Sequence, residues 1–128
     1  MRKGDKMLIK RGEIFLADLG KNKGSIQSGI RPVLVISNPK NNMYSLTINI
    51  LPITSQIKKN LPVHVSIGIE CGLQKKSTVL TEQIITVNKS QLIKFIGKCN
   101  NYKMIQVTKA MFLQFYMQEE LQPLANII

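Results

Sequence analysis

Short apolar runs separated by polar, turn-forming segments recur along most of this chain. The runs are rich in β-branched residues, which favour strands, and none approaches the ~20 residues that a membrane-spanning helix needs. We predict strands at residues 13–18, 32–37, 46–54, 63–67, 77–80 and 83–87. In residues 63–67 apolar and polar side chains alternate, which predicts one buried face. Many short strands are typical of a small β-barrel or a strongly curled sheet.

One helix is expected near the end of the chain, at residues 102–119. Asn100 or Asn101 precedes it and is a suitable N-cap. Its apolar positions have helical spacing and predict a single buried face, which consists of Met104, Val107, Thr108, Met111, Phe112 and Phe115. Residues 92–98 could form either a strand or a short helix. Residues 122–128 contain a proline and are expected to form a loose tail.

The connections between the predicted elements are polar. Residues 19–30 are rich in Gly, Ser, Asn and Lys and predict a long loop, a length that is often functional. Residues 38–42 predict a turn or a short helical connection. Residues 55–61 predict a basic loop, and residues 72–76 a further loop.

The charge balance narrows the range of partners. The chain has 18 Lys and Arg residues against 7 Asp and Glu, a net charge of +11. This surplus suits a nucleic-acid partner, because bound cations release phosphate counterions. It is also compatible with a surface adapted for solubility. Two cysteines and one histidine are too few for the four ligands of a structural zinc site, so we predict no metal. The cysteines are expected to be reduced and half-buried.

The chain is expected to form one domain over residues 1–128, with a core at about 11–118 and loose ends. The basic N-terminus lacks the apolar segment of a secretory signal, so a cytoplasmic protein is expected. No linker divides the sequence.

A series of short motifs then gives the chain a family likeness. The motifs are RGEI at 11–14, ADL at 17–19, GS at 24–25, Gln27, Gly29, RPVLVI at 31–36, ITSQI at 53–57, LPVHV at 61–65 and TEQIITV at 81–87. Their order along the chain resembles that of the MazF/PemK toxins of type II toxin–antitoxin systems, which are endoribonucleases. The resemblance covers about residues 11–115. It implies an SH3-like small barrel of the MazF/PemK/CcdB type, mainly β with appended helices and a C-terminal helix, assembled as a homodimer.

The function that the resemblance implies is sequence-specific cleavage of single-stranded RNA such as mRNA. The ribose 2′-hydroxyl would attack the phosphate without a metal or cofactor, leaving a 2′,3′-cyclic phosphate and a 5′-hydroxyl. The toxin would arrest growth until a cognate acidic antitoxin neutralised it. Two other functions stay open: a gyrase-poisoning toxin that uses the C-terminal helix, and a non-catalytic nucleic-acid-binding barrel on the same fold.

The resemblance assigns catalysis to Arg31 and Thr54. A guanidinium suits a phosphoryl group because its planar donors match the phosphate oxygens, and a threonine hydroxyl can donate to a non-bridging oxygen. The loop 24–30 is similar to the segment that closes over RNA. The predicted RNA-binding residues are Ser25, Gln27, Ser55, Lys58, Lys59, His64 and Gln83.

Other roles for these residues remain open at this stage. His64 could serve in proton transfer, since the ordinary pKa of histidine lies near neutrality, or it could be a structural surface residue. Gln83 could recognise a base edge through its amide or be a surface residue of its strand. Ile85 stands where many relatives have arginine, which removes a candidate contact with RNA.

Overall fold

The computed structural model describes residues 8–56 and 61–116. Within them seven strands and two α-helices follow one another along the chain. They are β1 (Glu13–Asp18), β2 (Ile30–Val35), α1 (Pro39–Tyr44), β3 (Thr47–Thr54), β4 (His64–Ile67), β5 (Ser77–Leu80), β6 (Ile85–Asn88), β7 (Leu92–Lys98) and α2 (Asn101–Phe115). Two single-turn 3-10 helices lie at Ile69–Cys71 and Lys89–Gln91.

The strands form one antiparallel sheet in the order β4-β5-β3-β2-β1-β7. Strand β3 is the centre of this sheet. One of its edges pairs with β2, and the other pairs first with β6 and then, at Ile53 and Thr54, with β5. The sheet therefore bends along β3. The expected architecture, mainly β with a C-terminal helix, is confirmed.

Two clusters of buried side chains cover the two faces of the sheet. One cluster joins Ile14, Leu34 and Leu51 to residues of β4 and α2. The other joins Phe15, Val33 and Ile50 to Val87 of β6 and to Ile9. Each strand from β1 to β3 contributes alternate residues to the two clusters, as a strand buried on both faces must.

The predicted strands agree with the structure except at some ends. Residues 13–18 and 77–80 match β1 and β5, and residues 92–98 form a strand. The predicted strand at 32–37 begins at Ile30 and ends at Val35, because the Ser37 side chain turns to bond with Asn42. The predicted strand at 83–87 begins only at Ile85. Gln83 lies before it in a turn closed by a Gln83 N–H bond to the Leu80 carbonyl.

The C-terminal helix is shorter than predicted and buries only the first part of the predicted face. It ends at Phe115, and Asn100 is its N-cap, accepting a bond from the Lys103 N–H at 2.8 Å. Met104, Val107 and Ala110 are the buried residues, whereas Phe115 is 63% exposed. The prediction that Phe112 and Phe115 are buried is wrong, because the last turn extends past the cluster that the helix covers. No helix in the described residues is long and apolar enough to span a membrane.

The two cysteines meet inside the protein. Cys71 and Cys99 are each 2% exposed, so the expectation of half-burial is wrong. Both are free, and their Sγ atoms lie 3.2 Å apart. Burial, together with the neighbouring Cys71 thiol, raises the pKa of the Cys99 thiol. The thiol is therefore protonated near neutral pH, and a protonated thiol is a poor nucleophile.

The RGE motif at the start of β1 holds the fold together. Arg11 donates to the Ile36 carbonyl and, at 2.6 Å, to the Thr108 hydroxyl of α2. Gly12 has φ +94°, where a side chain would be strained, and its carbonyl accepts the Cys99 N–H at 2.9 Å. The motif therefore ties β1 to the end of β2, to the residue that follows β7, and to α2.

The curled sheet is closed by a close approach of two backbones. The Gly97 Cα of β7 lies beside Cys71 and Gly72, which follow β4. A Cβ on Gly97 would lie 2.0 Å from the Cys71 carbonyl oxygen. Glycine inside a strand often marks a place where another backbone approaches.

We expect Gly97→Ala to destabilise the protein by at least about 1–3 kcal/mol, because the methyl group must push the two backbones apart. The midpoint of urea unfolding measures this. Lys98→Ala, a change at the exposed next residue, should leave the midpoint nearly unchanged. Equal midpoints for the two variants would show that the close approach is not required.

Candidate active site

A cleft of about 850 Å³ opens where β1, β2, β3 and β7 meet the segment after the Ile69–Cys71 turn. Its floor is apolar and its rim is polar. The lining residues are Leu16, Gln27, Arg31, Pro32, Ile53, Thr54, Ser55, Gln56, Gly72, Leu73, Gln74, Lys75, Ser77, Lys94, Phe95 and Ile96. Within residues 8–56 and 61–116 the lining contains three cations and no carboxylate, so it favours an anionic ligand.

The register between β2 and β3 brings Arg31 and Thr54 together. Val33 lies opposite Pro52. Continuing this antiparallel register by two residues sets Arg31 opposite Thr54, and residues opposite each other share one face of a sheet. Both line the cleft, at the point where β2 and β3 diverge. Two residues that are far apart in sequence thus line the same cleft.

Arg31 is fixed by its Nε atom. This atom donates to the Ser28 carbonyl oxygen at 2.9 Å, and the side chain is partly buried. Within the described residues no protein group accepts a bond from its two terminal nitrogens. Those nitrogens are donors suited to phosphate oxygens. The loop carbonyl therefore positions the guanidinium and leaves its terminal donors for a ligand.

Thr54 has a hydroxyl held in a local turn. Its Oγ1 accepts the Gln56 N–H at 3.1 Å and donates to the Gln56 carbonyl at 3.4 Å. The second distance is long for an O–H···O bond, which usually spans 2.5–3.0 Å. The hydroxyl hydrogen can therefore turn to a phosphate oxygen, while the N–H bond keeps Oγ1 in place.

Gln83 holds the loop that borders the cleft. Its Oε1 accepts the Gln27 N–H at 3.0 Å, and its Nε2 donates to the Ser25 carbonyl at 2.9 Å. The base of the loop is closed separately by a 2.9 Å bond from the Leu19 N–H to the Gly29 carbonyl. The Gln83 amide, which was predicted to read a base edge, thus bonds to the loop backbone in this structure, and its contact with RNA stays a prediction.

Apart from His64, the other predicted RNA-binding residues fall into three groups. Gln27 and Ser55 line the cleft with Arg31 and Thr54. Ser25 lies exposed on the loop and meets Gln83 through its backbone. Lys58 and Lys59 lie outside the described residues.

His64 lies apart from the cleft lining. Its Nδ1 accepts the Leu61 N–H at 3.1 Å, and its Nε2 lies 3.2 Å from the Glu82 carboxylate. An accepting Nδ1 requires the proton on Nε2, which then donates to Glu82. Only 7% of the His64 side chain is exposed. These contacts give the ring a structural role between β4 and the turn before β6.

The cleft residues that were not among the predicted site residues include two lysines and a phenylalanine. Lys75 and Lys94 are exposed lysines on opposite walls. Phe95, on β7, packs edge-on against Phe15 with ring centroids 5.7 Å apart. Only the fold places these residues at the cleft, since they lie 21 to 41 positions from Thr54. Ile85, at the position where relatives have arginine, packs against the core cluster of Phe15 and Val33.

No cluster of three or more His, Cys, Asp or Glu side chains that could hold a metal ion occurs in residues 8–56 and 61–116.

Comparison with known proteins identifies relatives over nearly the whole described chain. A family model described as the PemK-like, MazF-like toxin of type II toxin–antitoxin systems matches residues 10–115. Endoribonuclease EndoA of Bacillus subtilis is 41% identical over 107 residues, which are 82% of this chain and 92% of the relative.

Solved structures have the same fold. MazF (Form-I) from Deinococcus radiodurans superposes with a TM-score of 0.76 at 20% identity, covering 87% of this chain and 99% of that one. A mycobacterial endoribonuclease in complex with its cognate antitoxin gives 0.70 at 23% identity, covering 83% and 93%. At these identities the likeness shows the fold alone.

The role of Gln83 can be tested by limited proteolysis. Lys21 and Lys23 make the loop a trypsin substrate when it opens. Gln83→Leu removes two hydrogen bonds of about 0.5–1.5 kcal/mol each, so trypsin should cut the loop roughly 5- to 100-fold faster. Gln74→Leu, on the opposite wall of the cleft, should leave the rate unchanged. Equal rates for both variants would contradict the loop-holding role.

Proposed function

This chain belongs to the PemK-like, MazF-like toxins of type II toxin–antitoxin systems and is an endoribonuclease, and from that premise we propose that it cuts single-stranded RNA at a defined sequence by attack of the ribose 2′-hydroxyl. The observation that carries the proposal is the juxtaposition of Arg31 and Thr54 in a cleft without carboxylates. RNA supplies its own nucleophile, so the protein need only position and stabilise.

The proposed mechanism rests on where negative charge develops. The 2′-hydroxyl loses its proton to water and its oxygen bonds to phosphorus, which gives a dianionic phosphorane. The bond from phosphorus to the 5′-oxygen then breaks, and the 5′-oxygen takes a proton from water. The terminal nitrogens of Arg31 are the donors for the phosphorane oxygens. Thr54 donates its hydroxyl hydrogen to a non-bridging oxygen. Donors already held in place at such a centre need little rearrangement as the charge forms. The positive potential of the cleft also favours the deprotonated 2′-oxygen.

Sequence specificity follows in this proposal from the loop that carries Ser25 and Gln27. Gln83 holds the loop backbone in place, which leaves the Ser25 and Gln27 side chains to meet bases beside the scissile bond. A held loop selects bases better than a free one, because it loses less conformational freedom on binding.

The proposed assembly is a cytoplasmic homodimer that an acidic antitoxin neutralises. Support for the dimer comes from one face of α2 that carries exposed apolar side chains, among them Tyr102, Ile105, Leu113 and Tyr116. Exposed apolar faces of this kind mark interaction sites. Support for the antitoxin comes from the family and from the net charge of +11. Sedimentation equilibrium tests the dimer, and adding the antitoxin to the cleavage assay tests neutralisation.

Cleavage of a defined RNA in EDTA tests the function itself. The protein should cut and leave a 2′,3′-cyclic phosphate and a 5′-hydroxyl, and 2′-deoxyribose at the scissile position should block the cut. Mass spectrometry of the fragments identifies both ends. A gyrase poison or a non-catalytic barrel would leave the RNA intact, while a strict need for magnesium or cleavage of the deoxy substrate would indicate an activated water.

Substitution of the two central residues tests their roles. Arg31→Ala should reduce kcat by about 10²–10³-fold or more, as loss of one positioned donor does. Arg31→Lys keeps the charge but not the paired donors and should restore only part of this loss. Thr54→Val should be impaired and Thr54→Ser largely active, since serine keeps the hydroxyl. Circular dichroism verifies folding, and normal turnover by folded Arg31→Ala would remove Arg31 from the mechanism.

A further inference from the structure

Two lysines in the cleft, Lys75 and Lys94, have no role in the reaction described above. Lys94 lies on β7 opposite Leu16 of β1, and Leu16 lies opposite Pro32 of β2. Residues opposite one another share a face, so Pro32, Leu16 and Lys94 form a row across three strands. Lys75 approaches from the other wall, in the segment after Gly72.

The charges of these lysines are not neutralised within the described part of the chain. Both side chains are exposed, and neither forms a salt bridge there. The cleft lining also contains no carboxylate. An uncompensated cation in a concave site attracts an anion more strongly than one on a convex surface, because the low-dielectric walls focus its field.

The geometry separates the lysines from the reacting phosphate. Neighbouring strands lie about 4.8 Å apart, so the row from Pro32 to Lys94 spans about 10 Å. Arg31 lies opposite Ala17, the next register position, so its side chain leaves β2 on the other side from this row, although it lines the same cleft. Arg31 and Lys94 therefore enter the cleft from different strands and different sides of the sheet, and an anion held by Lys94 can be a phosphate other than the one at Arg31. Pro32 and Leu16 are half-buried and give the cleft an apolar surface for a sugar or base.

We propose that Lys75 and Lys94 bind backbone phosphates of the nucleotides beside the scissile one, so that the RNA strand runs through the cleft from Arg31, past Pro32 and Leu16, to the two lysines. The proposal rests on the proposed function, because it takes the phosphate at Arg31 as the one that is cleaved. The two lysines hold the strand in register without touching the reacting atoms. They act on binding and leave the chemical step unchanged.

The salt dependence of binding measures such contacts directly. Each phosphate contact with single-stranded nucleic acid contributes about 0.7 to the slope of log K against log salt. The double variant Lys75→Gln with Lys94→Gln should therefore lose about 1.4 from the slope. Raising the salt fourfold should narrow the difference in affinity between the wild type and the variant by roughly sevenfold. The ligand is an RNA with 2′-deoxyribose at the scissile position.

A matched control separates local contacts from net charge. Lys76 follows Lys75, and Lys98 lies on β7 with Lys94, yet neither lines the cleft. Lys76→Gln with Lys98→Gln removes the same two charges and should leave the slope close to that of the wild type. On an all-ribose substrate the cleft variant should show raised KM and unchanged kcat. Equal slopes for the two double variants would overturn the proposal, and so would a lower kcat at an unchanged KM.

The outcome is distinguishable from failure of the proposed function. If the wild type leaves RNA uncut, the proposed function fails, and the assignment of the scissile phosphate fails with it. If the wild type cuts RNA and the two slopes are equal, only the role of Lys75 and Lys94 is lost.

Discussion

The close approach of Gly97 to Cys71 and Gly72 is the contact on which the rest of the structure depends. It joins the last strand of the sheet to the segment after β4, which closes the curled sheet without a hydrogen-bonded seam. The same segment continues into Leu73, Gln74 and Lys75, which form one wall of the cleft, and β7 forms the opposite wall. A side chain at Gly97 would force these walls apart. The contact that closes the fold therefore also sets the width of the cleft.

The second constraint is the register between β2 and β3. Both strands are buried on two faces, and a slip by one residue would turn their core side chains outwards. The two core clusters fix the register, and continuing it two residues beyond the paired segment brings Arg31 and Thr54 to the same end of the two strands. In the proposed mechanism these two residues are catalytic, and their place at the diverging ends of two rigid strands keeps their geometry while the ends stay open to a substrate. The Ser28 carbonyl of the loop then fixes the Arg31 side chain by accepting a hydrogen bond from its Nε.

The sequence predicts the elements and the family well because each rests on local information. Apolar runs predict β1 and β5 to the residue, and the motif order identifies the relatives. The same information cannot show what a polar side chain bonds to. Gln83 bonds to a loop 56 to 58 positions away along the chain, and His64 of β4 bonds to Glu82 in the turn after β5. Only the folded chain brings these partners together. For the same reason Lys75 and Lys94 resemble any surface lysine until the sheet places them at one cleft.

The distribution of titratable groups constrains the chemistry further. His64 has its Nδ1 occupied by the Leu61 N–H, so protonating the ring would break that bond. Among the described residues, the cleft lining includes neither histidine nor carboxylate, and its charged groups are Arg31, Lys75 and Lys94. A site of this composition offers no strong base near neutral pH, but it stabilises every anionic species along the reaction path. In the proposed mechanism, catalysis therefore depends on the positive potential and on fixed donors more than on general base catalysis. The strand geometry that aligns Arg31 with Thr54 is then the main determinant of rate.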